Sequence, residues 1–230
     1  MNTITSIQKT AKLAGILFLF NLLVPTLGYV FVQSKLFIAD DPILTSTQII
    51  ANEKLFRLGL LSEFILSIGL IFLGYCLYVI LRNVNKFFSQ LALLLKITEA
   101  TLMATVSLLA FFALQILTIN NSSLVDSKFL AGMIFIQHGA LNSIPMIFLG
   151  VELVIFNVLF YLSGLIPKWI SVVGIIAFFL IFLFSVFSII ETKLASILLT
   201  IPSFIYELII GLWLIVRGVK PDILSGLLTK

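Results

Sequence analysis

The sequence predicts an all-α fold: a polytopic membrane helix bundle of six transmembrane helices with both termini cytoplasmic. Two observations carry this class. Of the 230 residues, 61% are hydrophobic and 10% are charged, with a mean hydropathy of +1.23, whereas a soluble domain carries about 25% charged residues. The apolar residues also gather into six runs, each close to or above the roughly 20 residues of helix that a bilayer core requires. A water-soluble globule and a disordered chain are both excluded, and residues 1–230 are expected to form a single integral membrane domain.

The runs are bounded by charge, Asn, Gly and Pro, and place the spans at about 13–32, 58–81, 87–117, 129–162, 169–190 and 194–216. Lys9 and Lys12 before the first run give it the look of a secretory signal. Its length exceeds the about 7–15 residues of a signal core, and it meets Gln33-Ser34-Lys35 instead of a small-residue cleavage site, so it is expected to stay as a helix. The third and fourth runs are longer than a span needs and should tilt or project beyond the hydrocarbon. Between the first and second runs, Asp41-Pro42 signals a turn. Ser46 or Thr47 is expected to cap a short surface helix through Ile49 and Ile50 that leads into span two, a gating lid being the alternative. Pro25, Pro145 and Pro202 are expected to kink their helices or to free carbonyls that line a cavity.

Orientation follows from the asymmetry of Lys and Arg in short loops. One side collects Lys9, Lys12, Arg82, Lys86, Lys168, Arg217, Lys220 and Lys230 against Asp222, and should be cytoplasmic. On the other, Lys35, Lys54, Arg57, Lys128 and Lys193 are cancelled by Asp40, Asp41, Glu53, Asp126 and Glu191. The formal net charge of +4 then owes its sign to the cytoplasmic rim, and no nucleic-acid partner is expected.

The chain has one cysteine, Cys76, and one histidine, His138. Dithiol redox exchange, thiolate metal sites, bis-His haem ligation and multi-His zinc sites are excluded on that count. No nucleophile elbow, Walker loop or dinucleotide fingerprint is present, so neither a cofactor nor a metal centre is expected. A repeat of three spans plus three would make Glu99 and Glu207 equivalent, but the residues around them do not align.

The chemistry rests on charged groups inside spans: Glu63, Lys96, Glu99, Glu152 and Glu207. At about 1.5 Å per residue from the cytoplasmic anchors, Lys96 and Glu207 come out roughly 15 Å deep and Glu99 and Glu152 roughly 18–20 Å. These four are the candidates for a proton or ion pocket near the midplane. Glu63 should lie near the outer interface, and His138 at the outer surface or at a pocket mouth with Glu63. Helical periodicity puts Lys96, Glu99, Met103 and Ser107 on one stripe, His138, Asn142, Pro145 and Glu152 on a second, and Asn21, Pro25 and Gly28 on a third. Ser203 aligns with Glu207, with Tyr206 beside it, which makes Asn21, Ser107, Asn142, Ser203 and Tyr206 the supporting polar set. Span five, with only Ser185 and Ser188, is expected to face lipid, leaving Ile181 and Phe182 tolerant of change. Span three is expected at the centre, with Ala100 and Ala104 admitting close neighbours.

Four carboxyls and one ammonium sum to a formal minus three, and a charge at the bilayer centre costs at least about 2.5–3.5 kcal/mol. Lys96 is expected to neutralise Glu99, three residues on, or another mid-depth acid. The remaining acids, at least one of Glu152 and Glu207 among them, should then be protonated or share a cation.

Several short stretches carry a resemblance. Ala11-Lys12-Leu13-Ala14-Gly15, Asn52 through Gly59, Lys96-x-x-Glu99, Leu165-Ile166-Pro167-Lys168-Trp169, Pro202 through Glu207 and Gly211-Leu212-Trp213 are similar to the small bacterial membrane proteins called domain of unknown function 4386. The resemblance covers nearly the whole chain. It implies a helical bundle in the bacterial inner membrane and assigns no activity.

The residues point to binding or transport of a small or lipidic ligand with proton or cation involvement, with membrane lipids as surroundings. An intramembrane enzyme acting on a lipid, with a Glu as acid or base and Lys96 stabilising negative charge, is the alternative, and a subunit of a membrane complex is a third. Neither the ligand nor the oligomeric state is legible.

Overall fold

Every regular element among the described residues of the computed structural model, which cover 3–38, 40–119 and 125–228, is helical. Lys230, counted above on the cytoplasmic side, lies outside them. Six stretches are long and apolar enough to cross a membrane: Ile4–Leu36, Glu53–Leu81, Lys86–Thr118, Val125–Ser163, Lys168–Ile190 and Ile197–Val216. Each coincides with one expected run. Large apolar side chains such as Leu13, Phe72, Leu162 and Ile190 remain exposed, as a lipid-facing surface requires.

Helix α1, Thr3–Gly28, contains Pro25 and continues through a π-helical turn, Tyr29–Gln33, into Ser34–Leu36. The missing proline N–H removes one rung of the ladder, and the wider turn follows four residues later. Helix α2 is Pro42–Ala51. Its N-cap is Asp41, whose carboxylate accepts the Leu44 N–H at 2.9 Å, with Pro42 in the first turn. The expected caps are thereby corrected. Asp41-Pro42 starts the helix instead of merely turning the chain, and Ser46 is spent elsewhere, its hydroxyl donating to the Lys128 carbonyl at 2.6 Å.

Helices α3, Glu53–Leu81, and α4, Lys86–Ile119, are continuous. The fourth span is not: α5, Val125–Leu141, and α6, Ser143–Ser163, are separated at Asn142. Helix α7, Lys168–Ile190, leads through 3-10 turns at Thr192–Leu194 and Ile197–Thr200 to α8, Ile201–Val216, and to α9, Pro221–Leu228. Pro145 and Pro202 stand in the first turns of α6 and α8, where a helix has no N–H to lose. Of the three prolines expected to kink helices, only Pro25 lies within a helix interior.

The chain packs as two compact units. The first comprises Met1–Leu22, Ile68–Ala100 and Ser143–Lys230, the second Leu23–Ser67 and Thr101–Asn142.

In the first unit the core gathers Phe18, Leu77, Phe156, Phe178, Tyr206 and Ile210. Helices approach through small residues. A Cβ on Gly15 of α1 would stand 2.6 Å from the Gly211 carbonyl oxygen of α8, and one on Gly150 of α6 would stand 2.9 Å from the Phe178 carbonyl oxygen of α7. Helix α7 keeps an exposed apolar face at Val172, Ile176 and Phe179, but not at the two positions expected. Ile181 is 3% exposed and the Phe182 stem lies against Gly150, which overturns the expected tolerance at both positions. The sequence concealed this because α7 buries its neighbours through glycine, alanine and apolar side chains, leaving no polar stripe to read. At the end of α8, Gly218 in the left-handed conformation (φ 66°) turns the chain so that the Gln8 side-chain amide pairs with both the N–H and the carbonyl of Val219.

In the second unit Phe56 of α3 and Phe135 of α5 meet edge to face at 5.1 Å, in a core with Val32, Ile49, Ala113 and Leu117. Helix α2 belongs to this core. Thr45, Ser46 and Ile49 are buried, and a Cβ on Gly132 of α5 would run into the Pro42 carbonyl. The segment expected as a surface helix is bolted to α5.

Candidate functional site

Two polar clusters are built inside these units. In the first unit, Lys96 of α4 is fully buried, and its Nζ lies 2.8 Å from Glu99 Oε2 and 2.8 Å from Glu152 Oε1 of α6. One helical turn brings Glu99 to Lys96, as the spacing predicts. Room for the lysine stem comes from α3, where a Cβ on Gly74 would stand 2.7 Å from Lys96 Cγ. The contact to Glu99 has hydrogen-bond geometry, and the one to Glu152 is an ion pair at the same distance, with the second Glu152 oxygen unpartnered among the described residues. Both carboxylates are buried, at 2% and 0% exposure.

Glu207 is half-buried and forms no hydrogen bond or ion pair among the described residues. Of the four acids and bases expected to converge, three form the ion-paired group and Glu207 does not join it through a direct contact. Its neighbour Tyr206 is buried and donates its hydroxyl to Asn157 Oδ1 at 2.5 Å, while Asn157 Nδ2 donates to the Leu153 carbonyl at 2.8 Å. Gly174 of α7 makes the space for both side chains. Ser203 donates to the Thr200 carbonyl at 2.7 Å and so serves the start of α8. Asn21 is half-buried with its amide oxygen beside Gly69, and neither of its amide atoms has a hydrogen bond among the described residues.

The second unit holds the other cluster. Glu63 of α3 accepts the Ser107 hydroxyl at 2.6 Å and the Gln33 amide at 3.4 Å, and its Oε2 lies 3.2 Å from His138 Nε2. Four helices' worth of sequence thus meet at one carboxylate. His138, expected first as an outer-surface residue, is 4% exposed. The alternative pairing with Glu63 is the one the geometry contains. The imidazole also stands edge-on to the Phe37 ring at 6.4 Å, and its Nδ1 has no hydrogen bond among the described residues.

Glu63 faces a cavity of about 70 Å³ bounded by Val24, Pro25, Gly28, Gln33, Ser62, Leu66, Met103, Ser107 and Asn142. A smaller one of about 10 Å³ lies on its other side, against His138, Phe37 and Phe56. The backbone is irregular at both walls. Gln33 ends the π-helical turn, and Asn142 is the residue between α5 and α6. Non-helical backbone within an apolar span is tolerated where it lines a polar cavity, and π-turns recur at functional sites. The Ser107 hydroxyl points its proton at the carboxylate and not at the imidazole, so the trio is not an activated nucleophile of the Ser-His-acid kind. Its chemistry is that of a carboxylate held among donors at the edge of a small cavity.

Residues 13–218 match the family described as Domain of unknown function (DUF4386). The chain belongs to that family. No curated protein and no solved structure matches it. The DUF4386 match spans both clusters, since it includes every residue from Gln33 to Glu207.

Sequence reasoning named Glu63, His138, Ser107, Asn142, Lys96, Glu99 and Glu152, but passed over Gln33 and Asn157. Gln33, five residues past Gly28, is off the α-helical stripe of Asn21, Pro25 and Gly28, and only the π-helical turn Tyr29–Gln33 brings it to Glu63, so periodicity could not find it. Asn157 carried the plainer signal. An amide in the middle of the most apolar part of span four has no water to satisfy it and needs a protein partner.

Proposed function

We propose that this DUF4386 protein sits in the bacterial inner membrane with both termini cytoplasmic and binds and passes a small hydrophilic solute, proton or cation, using the chamber around Glu63. The observation that carries this reading is a carboxylate with three side-chain partners facing a cavity of about 70 Å³. Volume decides between the ligand classes. Pockets for organic ligands run to about 300–1,000 Å³, whereas this one suits an ion or a few waters. A lipidic ligand is correspondingly disfavoured at this place.

The experiment is flux in proteoliposomes, followed with a pH-sensitive dye inside the vesicles and with an imposed salt gradient. Wild-type protein should dissipate a gradient that empty vesicles hold, and Glu63→Gln should reduce the rate at least tenfold at equal reconstitution. Flux equal in wild type, Glu63→Gln and empty vesicles would overturn the proposal.

A further inference from the structure

We propose that the chamber beside Glu63 is a binding site for one alkali metal cation, coordinated by the Glu63 carboxylate with oxygens of Gln33, Ser62, Ser107 and Asn142. This rests on the chamber being a solute site and names the occupant.

The donor set argues for it. Every polar side chain bounding the larger cavity offers an oxygen: one carboxylate, two hydroxyls and two amides. Hard cations select such ligands, whereas the softer metals ask for imidazole or thiolate. The oxygens also have lone pairs to give. Ser62 and Ser107 spend their protons on the Gly59 carbonyl at 2.6 Å and on Glu63 at 2.6 Å, which leaves each hydroxyl oxygen facing as an acceptor. Gln33 turns its NH₂ toward Glu63, so its carbonyl oxygen is the end left over. The Asn142 amide has no hydrogen bond among the described residues and stands where the helix is interrupted.

Charge fixes the valence. Glu63 is the one carboxylate among the residues bounding the cavity, and His138, 3.2 Å from it, is not among those residues. A monovalent cation makes the chamber neutral, while a divalent one leaves an uncompensated positive charge among apolar helices, which is the more costly state. The cavity has room for a cation with a few waters completing its shell.

The test is thermal unfolding of the full chain in detergent, in chloride salts of sodium, lithium and potassium against choline at one ionic strength. A ligand that binds only the folded state raises Tm with its concentration. At least one alkali cation should raise Tm by several degrees over choline, saturably, and the rise should vanish in Glu63→Gln and shrink in Ser107→Ala and Asn142→Ala. The wild-type comparison needs no variant, so the inference stays testable if Glu63→Gln does not fold. Equal Tm in all four salts would overturn it. So would a rise that is the same size in Ser107→Ala, Asn142→Ala and wild type, because the cation would then sit elsewhere. Glu63-dependent proton flux with no cation effect on Tm would overturn the alkali site and leave the chamber reading standing, whereas loss of both would remove both.

Discussion

Replacing Lys96 by Met removes one charge and keeps an unbranched chain of similar length against Gly74. What it leaves behind sets the magnitude. Glu99 Oε2 and Glu152 Oε1 both lie 2.8 Å from the vanished ammonium, at 2% and 0% exposure, and Glu152 has no hydrogen bond among the described residues to take its place. Removing one partner from a buried pair costs about 3–5 kcal/mol, most of it the uncompensated charge that remains. Replacing all the charges by apolar or neutral groups of similar shape is often close to neutral. Lys96→Met should therefore be strongly destabilising, while Lys96→Met with Glu99→Gln and Glu152→Gln in the same chain should recover most of the loss. Equilibrium unfolding in mixed micelles, read by tryptophan fluorescence and by protection of Cys76 from a thiol reagent, gives both differences on one scale. A single variant as stable as the triple one would show that no charge is stranded, and the account of this cluster would fail.

Three further outcomes are expected. Tyr206→Phe removes the donor to Asn157 and leaves a buried amide oxygen unpartnered, a loss of about 1–3 kcal/mol, and Tyr206→Phe with Asn157→Leu should be less damaging than the single change by the same unfolding assay. Ile181→Ala should cost about 2–5 kcal/mol as a large-to-small change in a packed interior, whereas the same change at the exposed Ile176 should cost little, and equal effects would return α7 to the lipid. Gly132→Ala forces a methyl against the Pro42 carbonyl and should cost about 1–3 kcal/mol of overpacking, visible as faster hydrogen exchange in α2 and α5 with α8 unchanged.

The spans were legible because lipid offers no partner to a backbone group, so each crossing must be a helix and each helix must be apolar for its length. Lys96 and Glu99 were legible because three residues of helix fix their neighbourhood, and Glu152 because depth can be counted from the ends. The approach of His138 to Glu63 followed less directly, from two stripes facing inward. What stayed hidden depends on space and not on periodicity. Nothing in Gly150, Gly174 or Gly132 says which atoms each will meet, so the burial of Ile181 and the seating of α2 were missed. The interruption at Asn142 was missed because Pro145 suggested a bend where the helix in fact restarts. Glu207 was placed by depth and by its stripe with Ser203, and neither specifies whether its carboxylate reaches Lys96.

The pairing of Gln8 with Val219 bears on how the protein is made. The two partners are 211 residues apart, and both backbone hydrogen-bonding groups of Val219 are satisfied by one side chain. Gln8 precedes the apolar run and stands next to Lys9, so until Val219 has been made its amide can be satisfied only by water. The seating of the N-terminal helix by this pair therefore waits on the synthesis of residue 219, although the helix itself is made first.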